Sequence, residues 1–272
     1  MDLLGIHKPL IGVVHLLPLP GAPRYGGSMK RVIDRAMADA TAYRKGGMDG
    51  LLIENYGDTP FHAGRLPPDT IAAMTAVGIG LRGLGAFPLG INALRSDGLA
   101  ALAIATAIDA QFIRVNVLAG AMMTDQGLIQ GCAACLMRSR ATLRARVEIW
   151  GDLLVKHAVP LAPQDPIDAA TDLIQRAHAD ALILTGHRTG APVAVEMLTQ
   201  VRGAVPRSAV VIGSGIATGN LDQTWSLADG FIVGTSLKKG SRTQSPVDPA
   251  RVERLVEWRK HLAGDRRRRQ VQ

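Results

Sequence analysis

Short apolar runs alternate along this chain with longer amphipathic or alanine-rich stretches, and the repeat of that pattern predicts eight strand-to-helix units. The apolar runs are LIGVVH over 10–15, GLLIE over 50–54, FPLGIN over 87–92, QFIRV over 111–115, VEIWGDLLV over 147–155, ALIL over 181–184, AVVI over 209–212 and GFIV over 230–233. Between them, Ser28 reads as the N-cap of a helix through Lys45, with Val32, Ile33, Ala36 and Ala40 at helical spacing and Gly46-Gly47 closing it. Further helices are expected over 67–76, from near Asp97 to before Asp109, in part of 132–145, over 165–177, over 192–202 with Pro192 in its first turn, and over 249–262. The Gly-broken stretch 77–84 is ambiguous, and LLPLPGAPRYGG over 16–27 and NVLAGAMMTDQGLIQG over 116–131 read as long loops. Strands alternating with helices argue for a parallel sheet. In a chain of 272 residues, close to the ~250 typical of the fold, they argue for a single (β/α)8 TIM barrel. We assign 1–264 to the barrel and 265–272 to a flexible basic tail.

The polar residues sharpen this picture, because each predicted strand ends in functional groups. His15 closes the first; Glu54, Asn55 and Asp58 follow the second; Asn92 the third; Asn116, Thr124 and Asp125 the fourth; Asp152, Lys156 and His157 the fifth; Thr185, His187 and Arg188 the sixth. Strand C-termini of such a barrel converge on one face, where active sites sit. Singly, each residue has a plainer reading, as a helix cap, a solvated charge or a hydrogen-bonded strand end. Along the fifth strand the period of two puts Asp152 and Lys156 on one face, with His157 on the other. If Asp152 points inward, Lys156 is expected to do so too, near a carboxylate, as a general acid, an anion ligand or a Schiff-base amine. His15, Glu54, Asn92, Asn116, Asp125, Asp152, Lys156 and His157 are therefore the candidate catalytic residues.

The last two strands end in small-residue loops, Gly213-Ser214-Gly215-Ile216 and Gly234-Thr235-Ser236. Loops after strands 7 and 8, with a short extra helix, form the phosphate site of many barrels, where glycine lets backbone N–H groups approach an anion. Gly186, Gly213, Ser214, Gly215, Gly234 and Thr235 are the candidate phosphate ligands; the plainer reading is that the glycines only make tight turns.

Composition changes little. Hydrophobic residues make up 47% of the chain and aromatics 4%, so the core must be aliphatic. A net charge of +8 raises the question of nucleic acid or an anionic membrane. Much of the charge, however, lies in Arg266–Arg269 and in scattered arginines without aromatic interleaving, so nucleic acid is not an expected partner. No run approaches a membrane span and the N-terminus lacks a signal-peptide pattern, so a cytoplasmic protein is expected. Cys132 and Cys135 read as ordinary reduced thiols. No cofactor is expected; a divalent metal would need Glu54, Asp58 and Asp152 to converge.

Six runs, IGVVHLLPLPGAPRY, LLIENYGDTPF, FPLGINALRSDG, RVNVLAGAMMTDQGLIQG, DLLVKHA and LTGHRTGAP, in this order, resemble the BtpA family, which includes SgcQ-like proteins. The resemblance covers nearly the whole chain and implies a TIM barrel of the ribulose-phosphate-binding type. It marks His15, Glu54, Asn55, Asp58, Asn92, Asn116, Asp125, Gln126, Lys156 and His157 as motif residues without giving them roles. Trp150 and Leu153-Leu154 depart from a more valine-rich fifth strand, and Ser96 stands where Asn is the family pattern. The family's name comes from accumulation of photosystem I, while other members accompany sugar-metabolism genes. Two functions are thus expected: an enzyme of isomerase, aldolase or lyase type acting on a phosphorylated sugar or similar metabolite, and, alternatively, a non-catalytic biogenesis factor touching a membrane complex. A homo-oligomer is expected.

Overall fold

The computed structural model describes residues 1–186 and 191–269, without the side chains of 264–269. Eight parallel strands close into one barrel in sequential order. They are β1 (Leu10–His15), β2 (Gly50–Glu54), β3 (Leu89–Asn92), β4 (Phe112–Val115), β5 (Glu148–Leu153), β6 (Ala181–Leu184), β7 (Ala209–Ile212) and β8 (Gly230–Val233). The helices are α1 (Met29–Lys45), α2 (Pro68–Arg82), α3 (Gly98–Ala107), α4 (Ala133–Thr142), α5 (Pro166–Gln175), α6 (Val195–Ala204), α7 (Leu221–Trp225) and α8 (Pro249–Arg269). Ser28 caps α1 as expected, and Asp97 and Asp165, at the expected starts of α3 and α5, likewise accept backbone N–H groups of the first turns.

Alternation along the strands builds the interior in layers. Ile11 and Val13, Leu52, Phe112, Trp150, Ile183, Val211 and Ile232 form one apolar cluster inside the barrel. Phe112 and Trp150 stack with centroids 4.1 Å apart. Gly90 makes this fit, since a Cβ there would lie 2.2 Å from the Phe112 ring. Beneath the cluster an N-terminal hairpin, Asp2–Leu3 with Ile6–His7, inserts Leu3 as a plug. Two positions further along each strand the inward residues are His15, Glu54, Asn92, Arg114 and Asp152. The core therefore turns polar where the strands end.

Four expectations are corrected. The stretch 116–131 is no loop: Ala121–Thr124 and Gly127–Gln130 form an antiparallel hairpin, joined by Ala158–Pro160 into a three-stranded cap over the barrel mouth. Met122 and Ile129 pack there on Val117 and Val155, forming a small core of their own. The fifth strand ends at Leu153 rather than Val155, and Leu154 (φ +48°) and His157 (φ +57°) turn the chain into the cap. Pro192 precedes α6 instead of opening it, and α8 runs past Leu262 to Arg269. The ambiguous 77–84 segment is mostly helix, ending at Arg82. His187 and Arg188 lie outside the described residues.

Candidate functional site

The strand ends and their loops enclose one large cavity at the C-terminal face, of about 1270 Å³. His15, Glu54, Asn92, Asn116, Asp125, Lys156 and His157 line it, with Gly213, Ser214, Gly215, Gly234 and Thr235 on the β7 and β8 side. Residues more than two hundred positions apart are thus brought together. Asp152 and Gly186 are not among the lining residues.

Asp152 lies below the floor, its side chain fully inaccessible. Its carboxylate accepts from Arg114 Nε at 2.8 Å and Nη2 at 2.9 Å, and from Asn116 Nδ2 at 2.9 Å. The partner expected from the period of two was Lys156; β5 stops before that residue, and Arg114, two positions past Phe112 on β4, takes the place. Burial works against the Arg114 charge, but Asp152 outweighs it and raises the guanidinium above its ordinary range. Asn92 continues the network, donating to Asn116 Oδ1 at 3.0 Å and to the Arg114 carbonyl at 3.0 Å. Arg114 was missed by sequence reading, although its spacing of two from Phe112 and Asn116 marked it as inward.

Lys156 reaches the cavity through the turn after β5, and so does His157, which the alternation had directed elsewhere. Lys156 Nζ makes no hydrogen bond or ion pair with the described residues. Burial lowers its pKa, Arg114 adds to the effect, and Glu54 and Asp152 oppose it. The His157 imidazole is held below its ordinary value by burial and by Arg95 and Lys156. The Glu54 carboxyl is pushed up by burial, against the pull of Arg114 and Lys156. His15 Nε2 is 3.9 Å from Glu54 Oε1, and burial together with Lys238, Lys156 and Arg114 holds this histidine well below the usual range, hence neutral. Three buried polar atoms of the lining have no partner among the described residues: His15 Nδ1, Asn92 Oδ1 and Arg95 Nε. Arg95, Tyr56 and Phe61 also line the cavity and were not singled out by sequence; Tyr56 packs edge-on to His15 at 5.1 Å.

Close contacts within the protein require glycine at the motif positions. A Cβ on Gly215 (φ +75°) would lie 2.2 Å from the Ala191 carbonyl oxygen, and one on Gly186 would meet the same atom at 2.2 Å. Added carbons at Gly213 and Gly234 would strike Ile183 at 2.3 Å and His15 at 2.8 Å. These positions are closed by protein contacts, so Gly215→Val would disturb the backbone before it disturbed any anion. Ser214 Oγ accepts from Gly186 N–H at 3.1 Å, and β8 leads directly into a 3-10 turn, Thr235–Leu237. The one short helix of this region, α7, lies between β7 and β8.

Several motif residues tie loops together. Asp58 accepts from Leu19 N–H at 2.8 Å and from Asn55 Nδ2 at 3.1 Å, and Asn55 Oδ1 accepts from Leu94 N–H at 2.7 Å. With Asp58 and Asp152 so engaged, Glu54, Asp58 and Asp152 do not form a common ligand set; among the described residues no group of three metal-ligating side chains gathers. Ser96 bridges to the loop after β4, accepting from Val117 N–H at 2.8 Å, so the departure from Asn leaves that loop well bonded. Both cysteines are free thiols, and burial pushes Cys132 up to about 11. Among the described residues no helix is long and apolar enough to cross a membrane.

Among solved structures, N-(5'-phosphoribosyl)anthranilate isomerase from Pyrococcus furiosus superposes with a TM-score of 0.57 at 14% identity, over 94% of this chain and all of that one. A native KDPGal structure gives 0.61 at 14% identity, over 97% of this chain and 100% of that one. At that identity they share the TIM-barrel fold alone. The photosystem I biogenesis protein BtpA of Synechocystis sp. is 47% identical over 251 residues, 92% of this chain and 88% of that protein. An uncharacterised protein of Pyrococcus abyssi is 43% identical over 95% of this chain and 98% of its own length. An uncharacterised mitochondrial protein of Caenorhabditis elegans is 30% identical over 93% of this chain and 94% of its own length. The model of the BtpA family matches residues 6–261, and the chain belongs to that family.

Proposed function

We propose that this barrel is an enzyme acting on a phosphorylated sugar or similar small metabolite by proton transfer, in chemistry of isomerase, aldolase or lyase type. One observation carries the reading: Glu54 and Lys156 open into one cavity with their pKa values pushed towards each other by burial, and neither side chain has a hydrogen-bond partner among the described residues. A raised carboxyl suits a general acid or base near neutral pH, and such a group typically contributes about 10² to 10⁴ in rate. Lys156 then stabilises the enolate or alkoxide that forms, or attacks a carbonyl as the neutral amine. His15, neutral and 3.9 Å from Glu54, and His157 at the rim are the remaining proton carriers. The phosphate belongs at the β7 and β8 rim, where Ser214 to Ala217 and Gly234 to Ser236 line the cavity.

Ala217 gives a cleaner test of the rim than its glycines, being half-buried and clear of their close contacts. Ala217→Asp adds a negative charge worth ~1 kcal/mol or more against a nearby phosphate. Affinity for sugar phosphates, measured by calorimetry, should fall about tenfold with the melting temperature unchanged; undiminished affinity retires the phosphate assignment. A non-catalytic role in a membrane complex is the second reading, favoured by the name of the Synechocystis relative, a photosystem I biogenesis protein, and by the net charge of +8. Flotation with anionic vesicles separates the two. Salt-sensitive vesicle binding with no sugar-phosphate affinity favours the second.

A further inference from the structure

We propose that the substrate carries a carboxylate besides its phosphate, held by Arg95 with Lys156 beside it, so that the ligand is a phosphorylated polyhydroxy acid. This rests on the phosphorylated-metabolite reading above and names its second anchor. Arg95 stands on the loop after β3 and is 7% exposed. Its Nη2 donates to the Lys156 carbonyl at 2.5 Å, which fixes the guanidinium at the cavity wall and leaves Nε buried without a partner. Arg114 below it is neutralised by Asp152. Arg95 and Lys156 have no carboxylate of the described residues within ion-pair distance. Asp125, the acidic group acting most on Arg95, lines the same cavity from the exposed tip of the cap hairpin, where its carboxylate accepts from Gln126 Nε2. Two cations of the cavity wall are thus left for an anion from outside.

Position separates this anion from the phosphate. In the closed order β3 lies four strands from β7 in either direction, so Arg95 faces the Ser214–Ala217 rim across the barrel axis. Asn92 Oδ1 and His15 Nδ1, both buried without a partner among the described residues, and the Glu54 carboxyl belong to the same cavity lining. Such atoms suit hydroxyl groups of a sugar chain. The planar guanidinium fork matches a carboxylate in two parallel hydrogen bonds. A second phosphate is the competing source of the same charge.

Calorimetry with 6-phosphogluconate and sorbitol 6-phosphate isolates the proposal, because these ligands differ only in carboxylate against hydroxymethyl. The wild-type protein should bind 6-phosphogluconate about tenfold tighter or more, from charge-assisted hydrogen bonds. Arg95→Gln should abolish that preference, bringing 6-phosphogluconate to the affinity of sorbitol 6-phosphate. Since Arg95 also braces the Lys156 carbonyl, Lys156→Met is the second variant: its Nζ makes no hydrogen bond or ion pair among the described residues, and 6-phosphogluconate should lose more affinity than sorbitol 6-phosphate. Equal wild-type affinity for the two ligands, or a preference that survives both substitutions, overturns the carboxylate site and leaves the phosphate reading standing. Gluconate binding as tightly as 6-phosphogluconate, and lost in Arg95→Gln, upholds the carboxylate site and retires the phosphate. Fructose 1,6-bisphosphate binding tighter than 6-phosphogluconate, with the same dependence on Arg95, would assign the second anchor to phosphate and overturn the proposal; so would the absence of binding by any of these ligands.

Discussion

Glu54 is held in the barrel mouth at a cost to folding, and the sign of its pKa shift says where that cost falls. Its folded-state pKa is raised by burial. The group therefore favours the folded state below the ordinary glutamate value, about 4.3, and this contribution is lost as pH rises through the raised value. Glu54→Gln removes the ionisation. At pH 7 to 8 the variant should melt at a higher temperature than wild type, with the gain vanishing towards pH 4. Melting curves at pH 4, 6 and 8 check it, and a destabilised variant at pH 8 would mean that the carboxylate is held by partners. Asp152 plays a structural part: two nitrogens of Arg114 and one of Asn116 bind it, so it positions the floor and does not line the cavity.

At the level of elements, the three-stranded cap is what brings the fifth-strand residues to the site. Met122 and Ile129 anchor Val155, the neighbour of Lys156, through a core of their own. Their outward neighbours Met123 and Leu128 are 49% and 44% exposed, so the two faces of the hairpin divide the labour. Ile129→Ala should cost about 2–4 kcal/mol by opening a cavity. It should also weaken anion binding, as Val155 to His157 lose their support. Leu128→Ala, on the outer face, should change stability by less than ~0.5 kcal/mol. Thermal melts with phosphate titrations of both variants check this, and an Ile129→Ala protein with wild-type melting and binding would uncouple the cap from the site.

For the whole molecule, the barrel is stoppered at one end and open at the other. Leu3, 4% exposed, closes the inner cluster from below, and the Met1 ammonium meets Asp229 at 2.8 Å. The hairpin is a two-plus-two pairing too small to be stable alone, so it depends on packing against the barrel. Leu3→Ala should lower stability by about 2–5 kcal/mol by hollowing the floor. Ligand affinity, set at the far end of the strands, should be unchanged; measured denaturation and calorimetry together test that separation. A stable Leu3→Ala protein would show that the barrel interior is sealed without the plug.

The eight-strand order, the mouth and its polar lining were legible in the sequence because they depend on local rules. Alternation decides which residues point inward, and Ser28, Asp97 and Asp165 cap helices through bonds within three residues. His15, Glu54, Asn92 and Asn116 follow from the same rule and line the cavity. What the rule could not reach is where a strand stops. Leu154 and His157 leave the extended region, and the turn carries Lys156 into the mouth by a route the period of two does not describe. Partners chosen across strands were equally out of reach: Asp152 met Arg114 from β4 in place of its own neighbour, and Pro192 was drawn before α6, against Gly215. Sequence spacing set the faces of each element, while tertiary packing decided which buried charge neutralises which, and so which were left open to a ligand.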